Sequence, residues 1–537
     1  MTLLLALVAG ASLVMFLANA GSIPLMDRDE GRYAEIGREM IESRNWIIPS
    51  LFGVPYLEKP PLLYWLLSIS YSIFGVNEFA ARLPTALAAS IGVFLTGLFA
   101  RKLIDPRAGV FSAVVLATSG LYIVLARLVL TDMLFAVSIA GALMFFFAAR
   151  NQLLGQSSGY AGFWLCLALA MLSKGPAGLL ICWSIILIDL ALSQDLRFLL
   201  RRALWFGFPI FLAVSVPWFW LVQTRFPRFL GFYVFQQHLA RFAGAEHSEP
   251  FYFFVPFVLA GLLPWTPMAF AALPSWIAKW KERSIEGRAV RFLLVWCLVV
   301  FFVFSASGGK LIPYILPMFP ALAVLIGGFF HGWVERGENS RSAAVTVLMS
   351  GILVVAMGMG GAIFVWTLNS SAYLLLLAAA AIGVALVIAM RWESSCSSRA
   401  FALAAISSAS LYLSAAFAAP SLCEVFTEKS NLIAAKNSLQ PDDEIAMTVV
   451  YMPSEAFYLR RIPYVVNPNR ELDFGISLVG GSKRLVPDLA TLRSRTEGRR
   501  VFCLTGVKPQ YLEELKENFR EVKVIGQNRA ATLVLIR

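Results

Sequence analysis

Residues 2–35 read TLLLALVAGASLVMFLANAGSIPLMDRDEGRYAE: an apolar run and, directly behind it, a charged segment from Asp29 to Glu35. A membrane span needs about 20 apolar residues, and this run supplies them. A second polar cluster, Glu58-Lys59-Pro60-Pro61, follows. Ionisable groups crowded beside hydrocarbon are costly and point to function. The run ends in small residues, as a cleaved leader would. It lacks a basic n-region, however, and reads as a retained first span.

The rest of the chain repeats the pattern. Of 537 residues, 58% are hydrophobic and 15% charged, with a mean hydropathy of +0.71. Soluble domains carry about 25% charged residues. The expected fold is therefore a polytopic α-helical membrane protein with about 13 spans. These lie near residues 3–21, 83–100, 108–126, 132–149, 160–173, 175–192, 203–223, 251–272, 290–306, 311–331, 343–366, 371–390 and 400–419. Residues 62–75 are apolar but too short to cross, and read as an interfacial helix.

Lysine and arginine are about twice as dense in the loops that face the cytoplasm if the N-terminus does, which supports that orientation. An odd span count then puts everything beyond residue 420 outside. The net charge of +12 reflects this bias, so nucleic-acid binding is a poor reading. Six cysteines form no metal-finger spacing. Cys423 and Cys503 fall in the same external region, and a disulfide between them is open.

From residue 420 the composition changes. EIAMTVVY, PYVV, RRVFCLTG, VKVIG and ATLVLIR alternate as strands, while CEVFTEKSNLIAAKNSL and KPQYLEELKENF read as amphipathic helices. The layout is a membrane domain over 1–419, with long external loops at 22–82 and 224–250, and a soluble α/β domain over 420–537. That domain shows no catalytic constellation and reads as a lid or stabilising module.

The external loops hold the candidate residues. Asp29 is placed to cap a helix running to about Ser43. On it Asp29, Arg32, Tyr33 and Ile36 share a face. Lys59 is held on extended backbone by the prolines that follow, where it suits a lipid phosphate. Asp132 opens the fourth span on the same side. The second loop carries His238, Arg241 and Glu246-His247, and Lys174 and Lys310 stand at span boundaries. Each has a plain alternative. Asp29 and Asp132 are good helix caps, Lys59 can snorkel, and the His–Glu pair can simply lie solvated on the surface. Together, Arg32, Lys59, Lys174, Arg241 and Lys310 form a cationic ring suited to an anionic headgroup.

DEGRYAE, NWIIPSLFGVPYLEKPPLLYW, LTDM, SKGPAGL, QHLARFA with HSEPFYFFVP, and GKLIPYILP occur in this order along residues 27–320. This series resembles the bacterial lipid A aminoarabinose transferases. These are GT-C glycosyltransferases related to protein O-mannosyltransferases. The resemblance implies an undecaprenyl-phosphate-linked sugar, 4-amino-4-deoxy-L-arabinose, as donor. It implies lipid A or another periplasmic acceptor, the bacterial inner membrane as location, and a monomer among membrane lipids with no nucleotide cofactor. It makes Asp29, Asp132 and Glu30 catalytic carboxylates. It assigns the donor phosphate and lipid to Lys59, Arg32, Tyr33, Arg241, Lys310 and Tyr314, and a divalent metal such as zinc to Glu58 and His238. One departure is Gly31, where the aminoarabinose transferases often carry a larger residue.

Two other classes compete. A transporter or flippase would show paired inverted repeats and mid-span charges, which this sequence lacks. A structural or sensory membrane protein would not require Asp29, Lys59 and Asp132 on one face.

Overall fold

The computed structural model describes all residues except 241–248, 336–340, 368–372, 379, 382–383, 385–396, 424–425, 469 and 481. The described chain forms two compact units. The first comprises residues 1–18, 85–223 and 230–418; the second comprises 19–84, 224–229 and 419–537.

The first unit is helical. Among the described residues, six helices are long and apolar enough to cross a membrane: Glu78–Leu103 (which begins in the second unit), Thr131–Arg150, Arg202–Arg225, Ile285–Ala306, Ile312–Glu335 and Phe401–Cys423. Two bent pairs raise the number to eight, and Thr2–Leu17 and Ala177–Leu192 are shorter apolar helices. The chain is a multi-pass membrane protein. Thr131–Arg150 is buried along nearly its whole length, whereas Arg202–Arg225 is mostly exposed. Close packing depends on small residues. A Cβ on Gly141 would sit 2.8 Å from Cys166 Sγ, and one on Gly159 would sit 2.5 Å from Ala149 Cβ. The span expected at 371–390 lies largely outside the described residues.

Two expected spans are not continuous. The run at 108–126 folds as Pro106–Ala117 and Gly120–Ala126, bent by 66°. The run at 251–272 folds as Phe254–Gly261 and Thr266–Trp280, bent by 104°. Broken helices free backbone groups that lipid cannot satisfy, so they persist only where protein does. Here each break serves the other. Gly120 N–H donates to the Leu263 carbonyl at 3.2 Å, Trp265 Nε1 donates to Thr118 Oγ1 at 2.9 Å, and Ser408 Oγ donates to the Thr118 carbonyl at 2.9 Å.

The second unit joins the first long loop to the C-terminal residues. The loop contains the Asp29–Ser43 helix, a hairpin of β1 (Ser50–Leu51) and β2 (Val54–Pro55), and the Leu62–Phe74 helix, short as expected. Phe52 and Gly53 form the turn with positive φ. Glu39 accepts their backbone N–H groups at 2.6 and 3.1 Å, fixing the hairpin to the helix. The C-terminal residues form a six-stranded sheet in the order β5-β4-β3-β6-β8-β7. These are β3 (Glu444–Met447), β4 (Tyr464–Val466), β5 (Leu485–Val486), β6 (Val501–Thr505), β7 (Val522–Gln527) and β8 (Thr532–Ile536). The first four are parallel, and β8 and β7 complete the sheet antiparallel. β3 and β6 are buried at every residue, as continuous apolar strands of parallel sheets are. Sequence reading misses β5 and the short helices Ser454–Leu459, Asp473–Val479 and Leu489–Arg495, because each is too brief to show a period. Cys423 and Cys503 are both free thiols.

Candidate functional site

The Asp29–Ser43 helix begins one residue earlier than a capping Asp29 would allow. Arg28 holds the cap position, and Asp29 is the first helical residue. Its carboxylate turns to Arg32 one turn on. The Asp29 side chain is 59% exposed and the Arg32 side chain 13%. The other arm of the guanidinium pairs with Glu471, from the short turn before the Asp473–Val479 helix. Tyr56 leaves β2 with its hydroxyl 2.6 Å from the same Glu471 oxygen and 3.3 Å from Glu58 Oε2. Arg32 also lies 5.0 Å from the Tyr33 ring centre and 6.0 Å from that of Tyr56. Asp29, Arg32, Tyr33 and Glu58 are therefore members of one network, held together by Tyr56 and Glu471.

Local geometry explains how Glu471 arrives. A Cβ on Gly475 would meet the Pro55 carbonyl, so glycine lets the Asp473–Val479 helix lie directly on β2. The same reasoning accounts for Gly31. A Cβ there would meet Asp27 Oδ1 and lie 2.7 Å from the Ser454 backbone nitrogen. Asp27 in turn accepts from the Ser454 N–H at 3.1 Å and from its hydroxyl. Burial raises the Asp27 carboxyl to about 7.

Glu30 faces another partner. Its carboxylate takes Arg82 Nε at 3.1 Å and Nη2 at 2.9 Å, and the Met26 N–H at 3.0 Å. Arg82 also donates to the carbonyls of Ala20, Ile23 and Pro24 at 2.6–2.8 Å. Both side chains are buried, and together they anchor the chain entering the Asp29 helix. Lys59 is half-buried just before the Pro60-Pro61 pair.

The helical unit holds a second cluster. Asp132, at the start of Thr131–Arg150, accepts from Lys174 Nζ at 2.5 Å. Lys174 ends the Gln156–Lys174 helix, where Gly175 turns the chain with φ +81°. Its ammonium stands 4.7 Å over the Tyr314 ring and 5.7 Å from that of Phe135. Lys310 is buried, and its ammonium donates to the Glu249 carbonyl at 2.7 Å. Arg241 and the side chain of His238 lie outside the described residues.

Glu58 is the described half of the expected metal pair. It is buried and shares the Tyr56 hydroxyl. Among the described residues, no three His, Cys, Asp or Glu side chains converge as a ligand set.

Sequence reasoning missed Tyr56, Arg82 and Glu471. Tyr56 lies inside the quoted NWIIPSLFGVPYLEKPP stretch and was within reach. Glu471 lies 439 residues from Arg32, and no local signal connects them.

Comparison with known proteins bears on the reading. A family model described as dolichyl-phosphate-mannose-protein mannosyltransferase matches residues 2–233. The undecaprenyl phosphate-alpha-4-amino-4-deoxy-L-arabinose arabinosyl transferase of Edwardsiella ictaluri is 30% identical over 63% of this chain and 60% of its own. That of Shewanella sediminis is 32% identical over 62% of this chain and 61% of its own. The chain thus matches about three fifths of the length of these relatives. The crystal structure of ArnT from Cupriavidus metallidurans, bound to undecaprenyl phosphate, superposes with a TM-score of 0.88. The match covers 99% of this chain and 97% of that one at 24% identity, and an apo structure of the same protein gives 0.86. The chain has the fold of that ArnT protein, and in sequence it resembles proteins named undecaprenyl phosphate-alpha-4-amino-4-deoxy-L-arabinose arabinosyl transferase.

Proposed function

We propose that this protein transfers a sugar, 4-amino-4-deoxy-L-arabinose, from undecaprenyl phosphate to a phosphate of lipid A at the periplasmic face of the bacterial inner membrane. The observation that carries this reading is Asp29 paired with Arg32 and backed by Glu471 and Tyr56. It is an exposed carboxylate, held in place at the start of a helix by a guanidinium that two further groups fix.

An acceptor oxygen attacks the anomeric carbon as its bond to the donor phosphate oxygen breaks, and undecaprenyl phosphate departs with the bonding electrons. Charge develops on that leaving phosphate, and preorganised cations stabilise it. Lys59 is the candidate in the second unit. Lys310 and Arg241 are candidate cations in the first, with Tyr314 as a neutral hydrogen-bond donor whose ring lies under the Lys174 ammonium that Asp132 pairs. A phosphate acceptor is already ionised, so Asp29 positions it and no proton need be removed. A hydroxyl acceptor would need Asp29 as general base. The anchored Glu30 fixes the entry to the helix. A divalent cation on Glu58 and His238, the cytoplasmic N-terminus, the periplasmic C-terminal residues and the monomeric state belong to the same reading.

Purified protein would be given undecaprenyl-phosphate aminoarabinose and lipid A, and the lipid analysed by mass spectrometry. Addition of one aminopentose residue is expected, with loss of at least a hundredfold in Asp29→Ala and Lys59→Ala. Full turnover in both variants would sink the site. No transfer from any polyprenyl-phosphate donor would sink the reaction. Metal analysis of the same preparation, with and without Glu58→Gln, tests the cation.

A further inference from the structure

Thr131–Arg150 carries Asp132 at its start and Arg150 at its end, roughly 27 Å apart along an α-helix. The hydrocarbon core of a bilayer is about 30 Å thick, so the two residues stand at opposite faces of it. We propose that the arginine cluster around Arg150 binds the head group of an anionic diacyl phospholipid, at the membrane face opposite Asp132.

Three elements bring the arginines together. Arg150 engages both neighbouring carboxylates: Asp189, in the last turn of Ala177–Leu192, at 2.5 Å, and Asp195, in the segment behind it, at 3.3 Å. Arg288 and Arg291, one turn apart near the start of Ile285–Ala306, lie within electrostatic reach of Asp189. Arg291 donates to the neutral Ser193 hydroxyl at 3.0 Å. Arg201 stands 4.8 Å from the Phe198 ring centre, and Arg150 stands 5.2 Å from the same ring. Four guanidiniums thus share two carboxylates. Among the described residues, Arg201, Arg288 and Arg291 have no ion pair of their own, since Arg150 holds both acids. Arg201 and Arg288 are exposed and Arg291 is half-buried, so a ligand can reach all three. A guanidinium keeps its proton, and the surplus positive charge is therefore fixed.

The surroundings favour a lipid over a soluble anion. The 3-10 helix Leu196–Leu200 buries Phe198 against Arg150 and Arg201 and leaves Leu200 83% exposed. Trp205 and Phe206 extend this exposed apolar surface. Trp205 is fixed by stacking on Trp183 and by donating to the Leu199 carbonyl at 2.8 Å. Tryptophan marks the membrane–water interface, and basic pockets at helix ends take anionic head groups. A lipid brings a phosphate for the arginines and acyl chains for the leucines, whereas a soluble anion answers only the first. A zwitterionic head group would also bring an ammonium, which the unpaired arginines repel.

The test is native mass spectrometry of the full chain in non-ionic detergent, titrated with phosphatidylglycerol or with phosphatidylethanolamine of the same chains. Phosphatidylglycerol should bind at least tenfold tighter. The double variant Arg288→Gln, Arg291→Gln should abolish that preference, with an unchanged unfolding temperature in the absence of lipid. Arg288→Gln alone, at an exposed residue, should weaken phosphatidylglycerol at least threefold, which keeps the test decisive if the double variant does not fold. Glycerol 3-phosphate, the head-group phosphate without chains, should not displace the lipid. Lys59→Ala, at the proposed donor site, should leave the preference intact. The proposal is overturned if the parent shows no preference, if the variants bind like the parent, if glycerol 3-phosphate competes, or if Lys59→Ala removes the binding. The readout is independent of sugar transfer, so failure of the proposed reaction does not decide it.

Discussion

Glu471 pairs with Arg32 across 439 residues of sequence and accepts the Tyr56 hydroxyl at 2.6 Å. A carboxylate from the C-terminal residues is thereby built into the network around Asp29. The C-terminal residues thus contribute a side chain to that network.

Replacing Glu471 should therefore act on the reaction as much as on the fold. A residue that positions the reacting groups can cost about a hundredfold when its contact is lost. Glu471→Gln is expected to lower the transfer rate on that scale. Tyr56→Phe should lower it by less, and the double variant by less than the product, because both act through Arg32. Steady-state kinetics on the four proteins checks this, and simple multiplicativity would refute the coupling.

Arg82 and Glu30 should behave in the opposite way. Both are buried, and removing one partner of such a pair typically costs about 3–5 kcal/mol. Arg82→Ala is expected to lower the unfolding temperature and the folded yield. Asp29→Ala, at a side chain 59% exposed, should change stability by no more than about 0.5 kcal/mol. Thermal unfolding in detergent separates the anchoring pair from the exposed carboxylate proposed to act in transfer.

In the helical unit, Lys174→Met would leave Asp132 without its ammonium and Tyr314 without its cation. The ring contact alone is worth about 0.5–2 kcal/mol. Tyr314→Leu should therefore destabilise mildly, and Lys174→Met more, since it leaves the buried Asp132 carboxylate without its ammonium. A Lys174→Met protein as stable as the parent would contradict the pairing.

Glu455 gives a pH prediction. It is fully buried, and neither carboxyl oxygen has a hydrogen-bond partner among the described residues. Burial, with the nearby Asp27 charge, pushes its carboxyl well above the ordinary 4.5. The folded state therefore holds the proton more tightly than the unfolded chain. Stability from this group is present below 4.5 and is lost as pH rises toward the folded value. Glu455→Gln should match the parent near pH 5 and be increasingly more stable toward pH 9. Parallel unfolding curves at every pH would exclude it.

What the sequence determined by itself was local. Apolar runs show membrane spans wherever they lie, because hydropathy needs no partner. The charged segment after the first run, and the prolines behind Lys59, identify candidate residues because their cost and stiffness are properties of the segment. Lys174 was legible as a cation at a span boundary, but not as the partner of Asp132. Direction and distance were decided only by the tertiary structure. Hydropathy does not see that the runs at 108–126 and 251–272 bend, since the groups satisfying each break come from the other. Asp29 reads as a cap until Arg32 is seen to take its carboxylate. Glu30, alike in type and adjacent in sequence, points to Arg82 because a helix sends neighbouring side chains about 100° apart. Glu471 enters the network only because Gly475 lets its helix rest on β2, a contact made by the folded chain and recorded in no stretch of sequence.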